Sequence, residues 1–104
     1  MKIYNTQVEI DADLDEAGNI NIQDGIDIRC DCTIKGDITA RNISAWNITA
    51  GDISARDISA RNISYYAVCV AYQTFTCRAV KGRRENSLQA CLDSAIIFKK
   101  GGTT

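Results

Sequence analysis

An isoleucine occupies every fifth position between residues 36 and 64, and this spacing restricts the possible folds more than any other feature of the chain. The stretch reads GDITARNISAWNITAGDISARDISARNIS, and an alanine stands two positions after each isoleucine except the last. The isoleucines are Ile38, Ile43, Ile48, Ile53, Ile58 and Ile63. The fold must therefore give every fifth residue the same kind of environment.

An α-helix does not suit this spacing. Five residues advance roughly 500° around a helix of 3.6 residues per turn, so the isoleucines would spiral over its whole surface. In an extended strand, side chains two positions apart share a face, so each Ile and its Ala point one way and the Ser or Thr between them points the other. The two remaining residues of each repeat must then turn the chain, and Asx and Gly suit corners because they tolerate unusual dihedral angles.

A short strand and a corner, repeated, predict a coil that stacks on itself as a β-solenoid. Each rung would pair its backbone with the neighbouring rungs at about 4.8 Å, and the isoleucines would form ladders in a dry interior. Shifting the repeat by fifteen residues gives ten identities in fourteen positions, and shifting it by twenty gives seven in nine. A triangular coil and a square coil therefore both remain open.

Composition favours one all-β domain. The 104 residues include 15 Ile, 3 Leu and no proline, and β-branched side chains pack well on a pleated surface. Residues 1–35 are expected to form N-terminal coils of strand character, 36–64 the regular repeats, 65–100 the C-terminal coils and cap, and 101–104 a tail. For residues 86–96 a last strand-rich coil is favoured, with a short helical turn as the alternative.

The repeats read D-I-T, N-I-S, N-I-T, D-I-S, D-I-S and N-I-S, and this order of Asx, aliphatic residue and Ser or Thr resembles the pentapeptide-repeat family. The resemblance implies a right-handed, four-sided β-solenoid. That family has a small residue two positions before the aliphatic one, whereas this chain has Gly, Arg or Trp there and its alanine two positions after. The inward pair is therefore expected to be Ile and then Ala. The segment IKGDITARNIS is also similar to bactofilins, which are bacterial solenoids that polymerise end to end.

The formal net charge of −1 conceals an uneven distribution. Residues 1–37 carry a net −6, residues 38–64 a net +1 and residues 65–104 a net +4. Some pentapeptide-repeat proteins inhibit DNA gyrase by imitating the surface of DNA, which requires a strongly acidic rod, and this chain does not match that requirement. An acidic front and a basic back instead predict a dipolar molecule whose ends could attract one another.

The sequence offers little for catalysis. It has no histidine and no C-x-x-C pair, and its five cysteines are expected to be reduced, with Cys30 and Cys32 packed as small core residues. Asp37, Asp52 and Asp57 recur at the corner position, where Asn replaces them in the other repeats, so hydrogen bonding at corners is the predicted role. We expect no enzyme activity, cofactor or metal.

Trp46 is the most informative single residue, because it occupies a corner position that Arg or Gly takes elsewhere and should therefore face solvent. In a square coil Trp46 would lie beside Tyr66, and Arg41 beside Arg61. In a triangular coil Trp46 would meet Arg61, and Arg41 would meet Arg56. Exposed Trp and Arg together are typical of binding hot spots, so these five residues are the predicted partner-binding strip.

The function expected from these features is binding to another protein without catalysis. A phage or mobile-element inhibitor of a host nucleic-acid machine would fit such a module. The alternatives are end-to-end self-assembly and weak nucleic-acid binding through Lys81, Arg83 and Arg84. The sequence shows neither a secretory signal nor an apolar run of membrane-spanning length, so a cytoplasmic location is expected.

Overall fold

The computed structural model describes residues 2–99, which form a β-solenoid of about five turns. The tail predicted for residues 101–104 lies outside the described part. The elements are β1 (Lys2–Tyr4), α1 (Gln7–Asp13), β2 (Ile20–Ile22), β3 (Ile26–Ile28), β4 (Cys32–Thr33), β5 (Ile38–Ala40), β6 (Asn42–Ser44), β7 (Asn47–Thr49), β8 (Ile53–Ser59), β9 (Asn62–Tyr65), β10 (Val68–Cys77), β11 (Ala79–Gly82), β12 (Leu88–Cys91) and β13 (Ile97–Phe98). Every strand pair among the described residues is parallel, as a stack of coils requires.

The register decides between the triangular and the square coil. Ile38 pairs with Ile53, Ile43 with Ile58 and Ile48 with Ile63, so each isoleucine of the repeat lies beside the one fifteen residues later. Three five-residue repeats therefore make one coil, and the coil has three faces. The four-sided coil that the pentapeptide-repeat resemblance implies does not describe this repeat.

The strands stack on three faces. The first face contains β2, β5, the first part of β8, the first part of β10, and β12. The second face contains β1, β3, β6, the remainders of β8 and β10, and β13. The third face contains β4, β7, β9 and β11. Because β8 and β10 run through the corner between the first two faces, those faces form one nine-stranded sheet and the third is a separate four-stranded sheet.

Three edges separate these faces, and each is a column of corner residues one coil apart. Edge I lies between the first and second faces, edge II between the second and third, and edge III between the third and first. The columns are Arg41 and Arg56 on edge I, Trp46, Arg61 and Arg78 on edge II, and Gly36, Gly51 and Tyr66 on edge III.

The interior is apolar, as the pairing of Ile with Ala predicts. All six isoleucines of the repeat are buried, and the alanine two positions later is buried in four of the five repeats that have one. No polar or charged residue is buried among the described residues. Above the repeat, Tyr65, Cys69, Ala71, Phe75 and Cys77 continue the same core.

The coil lengthens towards the C-terminus. Ile53 pairs with Cys69, sixteen residues later, and Val68 pairs with Leu88, twenty residues later. A register shift between Ala71 and Thr74 accommodates an additional residue where β10 turns the corner. Within residues 86–96 the structure contains β12 followed by bends, so the predicted strand-rich coil is confirmed.

The N-terminal segment contains a helix where strand character was expected throughout. Thr6 caps α1, its side chain accepting a hydrogen bond from the Glu9 amide at 3.3 Å, while the Glu9 carboxylate accepts one from the Asn5 amide at 3.0 Å. The T-x-x-E pattern is the sequence signature of a capping box, here with the carboxylate bonded to the amide of the residue before the cap, and the alternating pattern further along the chain obscured this signal. Ile10 is fully buried, so the helix closes this end of the core.

Asx side chains stabilise the edges by bonding from coil to coil. On edge III, the side chain of Asn19 accepts from the Asp37 amide at 2.7 Å, Asp37 from the Asp52 amide at 2.8 Å, and Asp52 from the Val68 amide at 3.0 Å. Each side chain satisfies a backbone group of the next coil, where the turning chain offers no regular partner.

On the other two edges, coil-to-coil hydrogen bonds join one side chain to another. Beside edge II, Asn62 donates to Asn47 and Asn47 donates to Asp31, each at 2.8 Å. Beside edge I, the Thr74 hydroxyl donates to the Asp57 carboxylate at 2.8 Å. These contacts confirm corner hydrogen bonding as the reason for the repeated Asp and Asn.

Candidate protein-binding surface

Edge II carries an exposed tryptophan beneath an arginine. The Arg61 amide donates to the Trp46 carbonyl at 2.7 Å, which fixes the two residues one coil apart. The Arg61 guanidinium carbon lies 5.2 Å from the centroid of the Trp46 ring, within the range of a cation–π contact. Trp46 remains 44% exposed, so the prediction that it faces solvent is confirmed.

Arg78 extends this column by one coil, because its amide donates to the Arg61 carbonyl at 2.7 Å. The sequence interpretation missed Arg78, which follows Arg61 by seventeen residues and therefore falls outside the five-residue spacing. Neither Arg61 nor Arg78 forms an ion pair with a carboxylate of residues 2–99. Both guanidinium groups are thus available to a partner.

Edge I carries the second pair of arginines. The Arg56 amide donates to the Arg41 carbonyl at 2.9 Å, so these two residues also stack one coil apart. The Arg56 guanidinium lies 3.3 Å from the Asp57 carboxylate, and because both side chains are partly exposed the pair contributes little to stability. Tyr72, another residue that the sequence interpretation missed, reaches the Ser54 hydroxyl at 3.4 Å near this edge and is exposed.

The second face spans the distance between these two edges. Arg41 and Trp46 are five residues apart, and strand geometry separates them by about 16 Å. In β3, β6, β8 and β10 the outward-pointing side chains of this face are short and polar: Ser44, Ser59, Thr74 and Thr76 carry hydroxyl groups, Asn42 an amide, and Asp27 and Asp57 carboxylates. This face therefore carries small polar side chains and is bordered on both edges by longer arginine side chains. Because its strands are already folded, it can bind a partner surface without a prior folding step.

The structure does not bring the five predicted binding residues into one strip. Trp46 and Arg61 meet on edge II, and Arg41 and Arg56 meet on edge I, so these four border the second face. Tyr66 lies on edge III, where its amide donates to the Gly51 carbonyl at 2.9 Å. Its side chain is exposed on a different side of the solenoid.

The three residues predicted to contact nucleic acid differ in the contacts that their side chains make. The Arg83 guanidinium donates to the backbone carbonyls of Tyr65 and Ala50, which lie beside edge III in two successive coils, so its donors are already partly used within the chain. Lys81 and Arg84 are exposed and make no ion pair with any residue from 2 to 99. Of the three residues predicted to contact nucleic acid, Lys81 and Arg84 remain as candidates for binding phosphate.

The cysteines are reduced, and three of the five are buried. Burial raises the pKa of Cys32 and of Cys69 to about 12, so both thiols stay protonated and are poor nucleophiles. Cys30 is only half-buried, because the corner after β3 contains an additional residue. Within residues 2–99 no cluster of three or more His, Cys, Asp or Glu side chains is arranged to hold a metal ion.

Comparison of the chain with protein-family models, with curated proteins and with solved structures finds no match. In the described part of the chain, no helix has the length and apolar character needed to cross a membrane.

Proposed function

We propose that the protein is a non-enzymatic binding module whose second face, with edges I and II, binds another protein. The observation that carries the proposal is the exposed Trp46 ring stacked with Arg61, beside Arg78, in a column that lacks ion-pair partners among residues 2–99. Trp and Arg are the residues that most often dominate the binding energy of protein interfaces.

The rigidity of the edges supports this proposal. Backbone hydrogen bonds link Trp46 to Arg61 and Arg61 to Arg78 on edge II, and Arg41 to Arg56 on edge I. Beside edge II, side-chain hydrogen bonds also connect Asp31, Asn47 and Asn62 from coil to coil. A surface that is already ordered loses little conformational entropy when a partner binds, so more of the contact energy appears as affinity.

The chemistry of the surface defines the class of partner. The arginines on its two edges pair with carboxylates, and the short hydroxyl side chains between them can donate to or accept from backbone groups. The proposed partner therefore presents an acidic surface. If the protein is a phage or mobile-element inhibitor of a host nucleic-acid machine, it would bind an acidic surface of that machine and not its basic nucleic-acid channel.

Paired variants on different edges test this proposal. The test variant is Trp46→Ala/Arg61→Ala on edge II, and the control is Tyr66→Ala/Arg84→Ala, which removes the same residue classes near edge III. All four residues are exposed, so urea unfolding should show that both variants fold with stabilities close to the parent.

The assay is quantitative capture from host-cell lysate, followed by titration calorimetry with the captured protein once it has been purified. We expect the edge II variant to lose at least about thirtyfold in affinity, as for the loss of a hot spot of about 2 kcal/mol, and the control to bind like the parent. Equal binding by the parent and the edge II variant would show that this surface is not the interface. Loss of binding in the control alone would place the interface on edge III.

A further inference from the structure

The two ends of the solenoid are finished differently. At the N-terminal end, α1 covers the core, and the Gln7 side chain bonds to both the amide and the carbonyl of Thr33 at the outer border of β4. At the C-terminal end the last coil carries four large apolar side chains that are each more than half exposed. They are Leu88, Leu92, Ile97 and Phe98.

The backbone at the C-terminal end is equally open. Within the described residues, β11 pairs only with β9, and β12 and β13 pair only with β10. Among residues 2–99, each of these three strands therefore has one border without a strand partner. Unpaired strand borders beside exposed apolar side chains favour association with another chain.

The charges of the two ends are opposite. The C-terminal end has exposed cations at Lys81, Arg84 and Lys99, with acids only at Glu85 and Asp93. The helix α1 and the residues after it carry five acids, which are Glu9, Asp11, Asp13, Asp15 and Glu16. The exposed side of α1 also presents Val8, which is 76% exposed, and Ala12 four residues later on the same side.

We infer that the C-terminal end of one copy of this chain binds the outer side of α1 in a second copy, head to tail. The four apolar side chains would cover the ridge of Val8 and Ala12, and the surrounding cations would face the acids of the helix. Joining two C-terminal ends would instead bring like charges together, which opposes binding. In a head-to-tail dimer, one copy still has a free N-terminal end and the other a free C-terminal end. Further copies can therefore add at both ends, and the association forms open chains.

The contact is small. Four half-exposed large side chains offer about 400 Å² of apolar surface, which is half of what one partner contributes to a standard interface. Association should therefore be weak and reversible, and because the ends are oppositely charged it should weaken with salt. Ile97 and Phe98 belong to β13, the last strand of the second face, but the contact uses none of the corner residues of edges I and II, so different variants test the two proposals.

Sedimentation of the full chain over a range of concentrations tests this inference. At low salt we expect the weight-average mass to rise above the monomer mass of 11.4 kDa as concentration increases, and to rise less at about 0.5 M salt. Leu88→Ser/Leu92→Ser, which removes apolar surface only, should raise the dissociation constant at least about tenfold. Tyr66→Ser, an exposed aromatic on the side of the solenoid, should leave it unchanged.

A mixing experiment distinguishes head-to-tail from tail-to-tail contact. Leu88→Ser/Leu92→Ser has an impaired C-terminal end, and Val8→Ser/Asp11→Lys has an impaired N-terminal end. Alone, each variant should stay monomeric, and mixed in equal amounts they should form a dimer and nothing larger. Association of the N-terminal variant by itself would contradict the inference, because only C-terminal ends would then be in contact.

Two further outcomes would overturn the inference. The parent chain could remain monomeric at high concentration and low salt. Alternatively, deletion of residues 100–104 could create association that the full chain lacks, in which case the chain's own tail covers the exposed apolar side chains.

Discussion

Replacing Ile43 by alanine should test the dry interior most severely. Ile43 is 2% exposed and lies in the centre of a ladder, between Ile26 in the preceding coil and Ile58 in the following one. The substitution removes three buried carbon groups, worth about 2.4 kcal/mol at about 0.8 kcal/mol each. A residual cavity of about 50 Å³ adds about 1 kcal/mol, because the flanking isoleucines are fixed by their own strands and cannot close it.

The expected loss is therefore about 3 to 4 kcal/mol. A chain of this length has a total stability of about 5 to 15 kcal/mol, so the effect is large. In urea, with a slope of about 1.5 kcal/mol per molar, the midpoint should fall by about 2 M. Ser44→Ala, which changes the next residue of the same strand on its solvent side, should move the midpoint by less than about 0.3 M. A loss below about 1 kcal/mol for Ile43→Ala would mean that this side chain is not packed in a closed core.

Three further outcomes follow from particular contacts. Gly51→Ala should destabilise the protein by about 1 to 3 kcal/mol in urea unfolding, because a Cβ there would lie 2.8 Å from a backbone carbonyl oxygen of the preceding coil. Gly25→Ala should cost less, because the added Cβ would lie 3.6 Å from its nearest neighbour. Equal losses for the two variants would contradict the close backbone approach on edge III. The pKa of Asp13 is lowered, first by the hydrogen bond from the Tyr4 hydroxyl and then by one from Lys2. The parent protein should therefore be more stable than Asp13→Asn, with the full difference above about pH 5 and a loss of it as pH falls through the lowered pKa. Urea unfolding curves of the two proteins that differ equally at pH 2 and pH 6 would refute this. The buried thiol of Cys69 should resist alkylation at pH 8 in the folded protein and react only after unfolding, as peptide mass analysis would show, and rapid labelling of the native chain would be inconsistent with its raised pKa.

The five-residue spacing was sufficient to predict strands, corners and a shared interior, because an inward pair of Ile and Ala can recur every five residues only on a turning chain. It could not by itself give the number of faces, since both the fifteen-residue and the twenty-residue shift preserve the inward isoleucines. Edge III contains the distinguishing signal. Gly36 and Gly51 are fifteen residues apart, and a Cβ at Gly51 would lie 2.7 Å from the Asp37 carboxylate oxygen.

The sequence was least informative outside the five-residue repeat, on either side of it. The helix α1 depends on a single capping box and one inward isoleucine, Ile10, a signal weaker than the alternation that follows it. Arg78 and Tyr72 could not be assigned to the candidate surface from the sequence, because the C-terminal coils are longer than fifteen residues and only the strand register shows which residues lie on edges I and II. The handedness of the coil, which the resemblance implies to be right-handed, stays a prediction.

Backbone nuclear Overhauser effects test the three-faced solenoid most directly, because they report which strands lie side by side. We expect cross-strand contacts between residues fifteen apart throughout the repeat, joining Ile38 with Ile53, Ile43 with Ile58 and Ile48 with Ile63. Within residues 36–64, contacts between residues twenty apart, such as Ile38 with Ile58, would contradict the coil described here and separate Trp46 from Arg61.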